Sequence, residues 1–152
     1  MRHRLYCHVV WTTRDRQRLI DNSLAAFLCR FLRDVARQER AHILEIGMVA
    51  THVHLLVRVD PTTSISRLLQ RLKGGSSAVA DKERHSTNGR SLKWTKGYSI
   101  ESVSPRALEA VRQYLRQQSI HHAQEAIPGW SGDVPEYESE QVTDCGARSI
   151  RG

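Results

Sequence analysis

Two histidines one residue apart, His52 and His54, are the residues of this 152-residue sequence best suited to hold a metal ion. The segment around them, 51–60, is rich in valine and leucine, which favours a β-strand. Alternate side chains of a strand point to opposite faces, so the two imidazoles share one face and the apolar residues between them share the other. Two such nitrogens can chelate a divalent cation, although a His-x-His triplet also occurs as surface or hydrogen-bonded histidines.

Tyr114 and Gln118 offer a nucleophile and a further ligand. They lie four residues apart in a segment of helical periodicity, which places both on one helix face. The Gln118 carbonyl oxygen would complete a site of two nitrogens and one oxygen that suits Mg²⁺ or Mn²⁺ and leaves positions for phosphate oxygens. Tyr114 could then attack a metal-polarised phosphodiester and form a phosphotyrosine. The alternative is an ordinary amphipathic tyrosine on a helix surface.

The elements that must position these residues follow from the hydrophobic pattern. Strands are predicted at 3–13, 41–50, 51–60 and 92–103, with a tight hairpin between the middle two. Helices are predicted after Asp21 or Asn22, from Ile65 until Gly74-Gly75 end or kink it, and from Ser104-Pro105 onward. Residues 81–91 are predicted to be a polar loop.

The predicted order, β-α-β-β-α-β followed by a helix, indicates an α+β fold. It matches a ferredoxin-like (RRM-like) sandwich, an antiparallel four-stranded sheet with two helices on one face, and the added C-terminal helix carries Tyr114. His52, His54, Leu56 and Arg58 are then expected on the open face of the sheet.

The charge of the chain is unevenly distributed. Lys and Arg number 23 against 16 Asp and Glu, a net charge of +7. Residues 128–152 hold five acidic and two basic residues, so the remainder carries +10. We therefore divide the chain into a folded domain, 1–127, and an acidic, flexible tail, 128–152. The basic domain favours polyanions such as nucleic acid, although many soluble proteins are also basic.

Several basic residues and one tryptophan are candidate DNA contacts. The cations would neutralise backbone phosphates. They are Arg14, Arg16, Arg18, Lys73, Lys93 and Lys96. Trp94 could stack on an unpaired base. The alternatives are a solvated charged surface and, for Trp94, a core or dimer contact.

The sequence has no apolar run long enough to span a bilayer and no signal segment at its N-terminus. Its three cysteines are widely spaced and suit neither a disulfide framework nor a metal knuckle. These features predict an intracellular, cytoplasmic protein without a membrane association.

Five motifs, in this order and spacing, resemble the single-tyrosine HUH transposases of the insertion sequence 200/605 family. The resemblance covers residues 3 to about 125. The motifs are Tyr6-Cys7-His8-Val9-Val10-Trp11-Thr12-Thr13; His52-Val53-His54-Leu55-Leu56; Leu72-Lys73-Gly74 with Ser76-Ser77; Trp94 with Gly97-Tyr98; and Tyr114-Leu115-Arg116-Gln117-Gln118 with His121-His122.

The resemblance implies a homodimer that cuts and rejoins single-stranded DNA at hairpin-marked element ends with Mg²⁺ or Mn²⁺, in the prokaryotic cytoplasm at the nucleoid. It implies Tyr114 as the nucleophile and His52, His54 and Gln118 as metal ligands, in a site that two subunits can share. The residue before the histidine pair is commonly acidic in such proteins. Here it is Thr51, so a supporting carboxylate must come from elsewhere.

Two residues and two other functions stay open. His121 and His122 could approach the metal, but a position at the helix end, where the dipole favours a cation, is the preferred interpretation. The chain could instead be a non-catalytic nucleic-acid-binding module of the same fold, or a domesticated relative that nicks DNA for its host. The expected open face is a poor stacking platform, which counts against simple binding.

Overall fold

A computed structural model of the chain describes residues 3–83 and 89–132. Four strands and four helices are its main elements. The strands are β1 (Leu5–Thr12), β2 (Ala41–Val49), β3 (His52–Val59) and β4 (Ser99–Val103). The helices are α1 (Asn22–Gln38), α2 (Ile65–Lys82), α3 (Leu108–Arg116) and α4 (Gln118–His121).

The four strands form one antiparallel sheet in the order β2-β3-β1-β4. This order and the β-α-β-β-α-β sequence of elements confirm the ferredoxin-like prediction. The predicted hairpin between β2 and β3 is also present, with Val49 opposite His52 across a two-residue turn. The register places Thr12 opposite His52 and Val10 opposite His54 on the neighbouring strand.

The main core lies between one face of the sheet and helices α1 and α2. Val53, Leu55 and Val57 of β3 belong to it and are almost completely buried, as their alternation predicted. Helix α1 begins where expected, since the Asp21 carboxylate accepts a hydrogen bond from the Leu24 amide at 2.8 Å.

The opposite face of the sheet is covered where it carries the histidines, so the prediction of an open face is wrong there. His52, His54 and Leu56 are 4%, 7% and 0% exposed. They are buried because α3 and α4 pack across β2, and α3 also across β3. Only Arg58, at the far end of β3, is exposed as predicted.

Helix α2 does not end or kink at its glycines, contrary to the prediction, and continues to Lys82. Gly75 faces α1 so closely that a Cβ there would lie 3.0 Å from Phe31 Cζ. The glycine therefore serves close helix packing rather than a break. Because α2 extends so far, the predicted loop is shorter than 81–91, and its residues 84–88 lie outside the described part.

Two further boundaries differ from the prediction. Only Ser99–Val103 of the expected strand 92–103 joins the sheet, while Trp94 forms an isolated bridge with Thr13. Residues 95–97 are instead held against α2, because Lys73 Nζ donates to the carbonyls of Thr95 and Gly97. The last helix is interrupted at Gln117, where φ is −100° and ψ is 19°, between α3 and α4.

The described chain continues past α4 and packs back onto the domain. Ile127 is 5% exposed, and Trp130 is partly buried against the core. The first residues of the predicted acidic tail, 128–152, therefore pack against the domain. Its residues 133–152 lie outside the described residues. Within residues 3–83 and 89–132, no helix has the length and hydropathy needed to cross a membrane.

Candidate active site

His52 and His54 begin strand β3 and point to the face covered by α3 and α4. Their ring centroids are 5.0 Å apart with an interplanar angle of 67°. Burial is the main reason why the pKa of each ring is lowered, and nearby histidines lower both further. For His54 the pKa falls to about 3. Both rings are therefore neutral near pH 7 and can offer nitrogen lone pairs to a cation.

Each of these histidines has a partner that holds one of its ring nitrogens. His52 Nδ1 lies 3.0 Å from the Thr51 hydroxyl. His54 Nδ1 lies 2.9 Å from Nε2 of His8, which comes from the neighbouring strand β1. In both rings the held nitrogen is Nδ1, so Nε2 is the atom left for a ligand. Hydrogen bonding of this kind orients metal-binding imidazoles in many proteins.

Helix α3 carries Tyr114 onto the same face of the sheet. The Tyr114 ring centroid lies 5.9 Å from that of His54 and 6.4 Å from that of His8. On its other side the ring lies 5.0 Å from His121. The side chain is 40% exposed, so a substrate can reach it from solvent.

Gln118 lies at the break between α3 and α4 and is 2% exposed. Its Nε2 donates to the Tyr114 carbonyl at 3.2 Å, which leaves the carbonyl oxygen as its free end. This oxygen is buried with no hydrogen-bond partner among the described residues. The Gln118 side chain also interacts with His52 and raises the pKa of that ring, against the stronger effect of burial. A buried acceptor without a donor is costly and suits a cation ligand.

Contacts with β2 fix the position of α3. Glu45, buried on β2, accepts hydrogen bonds from Arg116 at 2.8 Å and Arg112 at 3.4 Å. A bulge at Leu44 separates Ile43 from Glu45 in the register, and Glu45 lies opposite Leu56. Gly47, further along β2, lies so close to α3 that a Cβ there would be 2.5 Å from the Leu115 carbonyl oxygen. The helix therefore packs directly on the strand.

Residues 122–125 close the other side of the site. The sequence indicated an approach of His122 only as the less favoured alternative, and it did not indicate Glu125. The His122 ring lies 4.9 Å from that of His52, and Glu125 accepts a hydrogen bond from Thr51 at 2.9 Å. Ligand atoms of His52, His122 and Glu125 all lie within 4.8 Å of one another. No sequence pattern marked Glu125, because its approach depends on the turn after α4. His8 could have been noted, since Val9 and Trp11 in the core direct it to the site face.

The predicted DNA contacts fall into two groups. Arg14, Lys93 and Lys96 are exposed, and Arg14 and Lys93 line an open groove together with Arg90. The other four are engaged within the protein. Arg16 pairs with Glu125 at 3.2 Å, Arg18 donates to the carbonyls of Gln124 and Ala126, Lys73 holds residues 95–97, and Trp94 donates to Ser76 at 2.9 Å.

Comparison with known proteins places the chain in a class of DNA-processing enzymes. The family model described as "Transposase IS200 like" matches residues 1–118 of the chain, well over half of it. The chain therefore belongs to the IS200-like transposase family, whose members cleave DNA. This confirms the resemblance seen in the sequence motifs.

Individual relatives agree with the family assignment. The ISDra2 transposase TnpA of Deinococcus radiodurans is 26% identical over 120 residues, covering 76% of this chain and 85% of that protein. The transposase for insertion sequence element IS200 of Salmonella typhimurium is 24% identical over 115 residues, covering 73% of this chain and 74% of that protein.

Two solved structures share the fold. A candidate transposase from Deinococcus radiodurans R1 superposes with a TM-score of 0.61 at 25% identity, covering 78% of this chain and 93% of the other. A REP-associated tyrosine transposase, solved bound to a REP hairpin, gives a TM-score of 0.63 at 11% identity, covering 78% of this chain and 68% of the other.

Proposed function

We propose that this transposase cleaves and rejoins single-stranded DNA at hairpin-marked element ends, with Tyr114 as the nucleophile and a divalent ion held by His52, His54 and Gln118. One observation carries the proposal. The partly exposed phenol of Tyr114 lies beside the neutral imidazole of His54, which is next to that of His52, and the buried carbonyl oxygen of Gln118, one helical turn away, lacks a hydrogen-bond donor among the described residues. These groups come together within one chain.

The reaction is a transesterification at phosphorus. The Tyr114 hydroxyl oxygen forms a bond to the scissile phosphorus as the bond to the 3′ oxygen breaks, which leaves a 5′-phosphotyrosine and a 3′-hydroxyl. The phenol proton passes to solvent, to which Tyr114 is open, and the departing oxygen takes one up. Attack by a 3′-hydroxyl on the phosphotyrosine reverses the step, so the bond is rejoined without an external energy source.

The donor set fits a divalent metal ion. His52 and His54 would provide imidazole nitrogens, and Gln118 would satisfy its unpaired oxygen as the third ligand. Two nitrogens and an amide oxygen suit Mn²⁺ and Mg²⁺, and the chemistry supplied there by the ion is Lewis-acid polarisation of a phosphoryl oxygen. The chain itself orients these ligands through His8 and Thr51.

DNA binding is assigned to the exposed cations. Arg14, Arg90 and Lys93 line one groove, and Lys96 extends the positive surface, so these residues would contact the phosphate backbone. Arg16, Arg18, Lys73 and Trp94 would support that surface through their internal contacts. A hairpin substrate is supported by the REP hairpin in the structural neighbour. We further propose a homodimer that acts at the nucleoid.

The non-catalytic alternative is less well supported. RNA-binding sheets of this architecture present aromatic side chains on an exposed face. In this chain α3 and α4 cover β2 and part of β3 on that face, and the residues beneath are histidines and Leu56. A domesticated nicking enzyme would use the same residues and is a variant of the proposed function.

The test uses the purified chain, a single-stranded hairpin DNA and Mn²⁺. Wild type should form a protein–DNA adduct that survives denaturation, and Tyr114→Phe should form none while it keeps its affinity for DNA. Tyr98→Phe, which changes a tyrosine of similar exposure next to β4, is the matched control and should react like wild type. His52→Ala should lose the adduct and keep most DNA affinity. Equal adduct with Tyr114→Phe would refute the assignment of the nucleophile.

A further inference from the structure

We propose that Glu125 positions His52 through the hydroxyl of Thr51, so that His52 carries its proton on Nδ1 and presents Nε2 to the metal. The inference rests on the proposed function, in which His52 is a metal ligand. Glu125 lies seven residues beyond the last position that matches the family model. It would provide the carboxylate that residue 51 itself lacks.

Thr51 makes one hydrogen bond with Glu125 and one with His52, and the charge of Glu125 sets the direction of both. Glu125 forms an ion pair with Arg16, whose Nη2 lies 3.2 Å from Oε1, and a carboxylate in an ion pair can only accept hydrogen bonds. The Thr51 hydroxyl must therefore donate its proton to Glu125 Oε1, 2.9 Å away. Its oxygen then accepts from His52 Nδ1 at 3.0 Å. A neutral His52 in this arrangement has its lone pair on Nε2.

The three residues are held in place from several sides. Thr51 and His52 are 2% and 4% exposed. The Glu125 backbone carbonyl accepts from the Ala50 amide at 2.7 Å, which ties residue 125 to the turn before β3. Arg16 Nη2 lies 3.2 Å from Glu125 Oε1. The carboxylate is therefore preorganised rather than a mobile surface group.

Direct ligation by Glu125 is the competing role. The ligand atoms of His52, His122 and Glu125 are close enough to hold an ion by themselves. However, Glu125 Oε1 is already engaged by Thr51 and Arg16, and Oε2 lies 3.6 Å from His122 Nδ1. Oε1 is therefore engaged in two hydrogen bonds, whereas Oε2 lies beyond hydrogen-bond distance of His122, and the engagement of Oε1 favours the positioning role. The two roles predict different results for Thr51 variants.

The first measurement is the tautomer of His52 in chelator-treated protein without DNA, read from ¹⁵N chemical shifts at a pH where the ring is neutral. Wild type should show the proton on Nδ1. Thr51→Val, which keeps the shape and removes the hydroxyl, should shift the population toward the proton on Nε2. Thr51→Ser should restore the wild-type tautomer, and Glu125→Ala should resemble Thr51→Val.

The second measurement is Mn²⁺ affinity by titration calorimetry. Thr51→Val and Glu125→Ala should bind Mn²⁺ about ten- to a hundredfold more weakly, because loss of a hydrogen-bond partner of a metal ligand typically weakens metal binding by this factor. Thr51→Ser should bind like wild type. Glu39→Ala removes a carboxylate that two arginines bind on the far side of the domain, and it should change neither measurement.

Three results would overturn the inference. They are a wild-type proton on Nε2, a Thr51→Val variant with unchanged tautomer and Mn²⁺ affinity, and a loss of affinity in Glu125→Ala alone, which would make Glu125 a direct ligand. If Thr51→Val does not fold, Glu125→Ala still tests the tautomer. Failure to form a DNA adduct would refute the proposed function without affecting the tautomer result, which needs neither metal nor DNA.

Discussion

His8 Nε2 and His54 Nδ1 face each other at 2.9 Å across strands β1 and β3, and their rings lie edge to edge with centroids 5.1 Å apart and an interplanar angle of 22°. One of these two nitrogens must carry the proton and the other must accept it. The pair therefore orients the second histidine of the site, as Thr51 orients the first.

Replacement of His8 by phenylalanine should weaken metal binding. The variant keeps an aromatic ring beside His54 but removes the hydrogen-bond partner, and Mn²⁺ affinity should fall about tenfold or more. Titration calorimetry measures the change, and affinity for hairpin DNA should stay near that of wild type. His3→Ala, at an exposed histidine before β1, is the control. Unchanged Mn²⁺ affinity in His8→Phe would contradict the prediction.

Gly47→Ala should displace the helix that carries the nucleophile. The new Cβ would lie 2.5 Å from the Leu115 carbonyl oxygen and 2.8 Å from Gln118 Cγ, so α3 must move away from β2. We expect a loss of about 1–3 kcal/mol in the free energy of unfolding and a strongly reduced rate of adduct formation.

Gly74→Ala is the matched control for Gly47→Ala. A Cβ at Gly74 meets nothing within 4 Å, and the residue lies inside helix α2. This variant should be more stable by about 0.5–1 kcal/mol because alanine is the better helix former. Urea denaturation measures both changes. Normal stability and activity in Gly47→Ala would mean that α3 does not pack on β2 in this way.

Acid should destabilise the metal-free protein before its carboxylates titrate. Burial and the neighbouring histidines lower the pKa of His54 to about 3 in the folded state, against an ordinary value near 6.5. The unfolded chain therefore binds a proton that the folded chain excludes, so stability falls as the pH drops below about 6.5. His54 should contribute a loss of about 2 kcal/mol between pH 7 and pH 5.

Urea denaturation of chelated protein at a series of pH values tests this dependence. His54→Gln should flatten the curve between pH 7 and pH 5, whatever its stability at pH 7. His8 and His52, whose pKa values burial also lowers, act in the same direction. A wild-type stability that is constant over this range would rule out a buried neutral His54.

The site should assemble within one chain. Tyr114 lies beside His54 and His8 of its own chain, and Gly47 and Glu45 hold its helix there. A mixture of Tyr114→Phe and His52→Ala proteins should therefore form no adduct with hairpin DNA. Restored activity in the mixture, detected on a denaturing gel, would show that the tyrosine helix is exchanged between subunits.

The groove of Arg14, Arg90 and Lys93 should dominate DNA affinity. Arg14→Ala with Lys93→Ala should weaken binding of single-stranded DNA and lower the slope of log affinity against log salt by about 0.7 for each lost phosphate contact. Arg67→Ala, whose arginine lies on α2 and pairs with Glu39, is the control and should leave the slope unchanged. A wild-type slope in the double variant would mean that DNA binds at another surface of the protein.

Much of the fold could be predicted because its signals are local. The alternation around Val53 and the helical spacing after Asp21 follow from which face of an element is buried. The errors arose where packing overrides propensity. Helix α2 continues through Gly75, where the absence of a side chain leaves room for Phe31 of α1. Residues 95–97 lie outside the sheet, where Lys73 binds the carbonyls of Thr95 and Gly97.

The site was predictable only in part for the same reason. The alternation of a strand shows that His52 and His54 share a face, but not that His8 from another strand lies 2.9 Å away. Glu125 reaches Thr51 across 74 residues, through a helix break at Gln117 that no proline or glycine announces. Contacts of this range depend on the tertiary structure.

The packing of residues 122–130 against the domain determines how far its C-terminal end can be truncated. The family match stops at Gln118, and a protein truncated at that point would lose Glu125 and the buried Ile127. In such a protein His52 would lie at the edge of a cleft left by residues 122–127. The Thr51 hydroxyl would lose Glu125 as its hydrogen-bond acceptor. The folded domain of this protein therefore extends at least to Trp130.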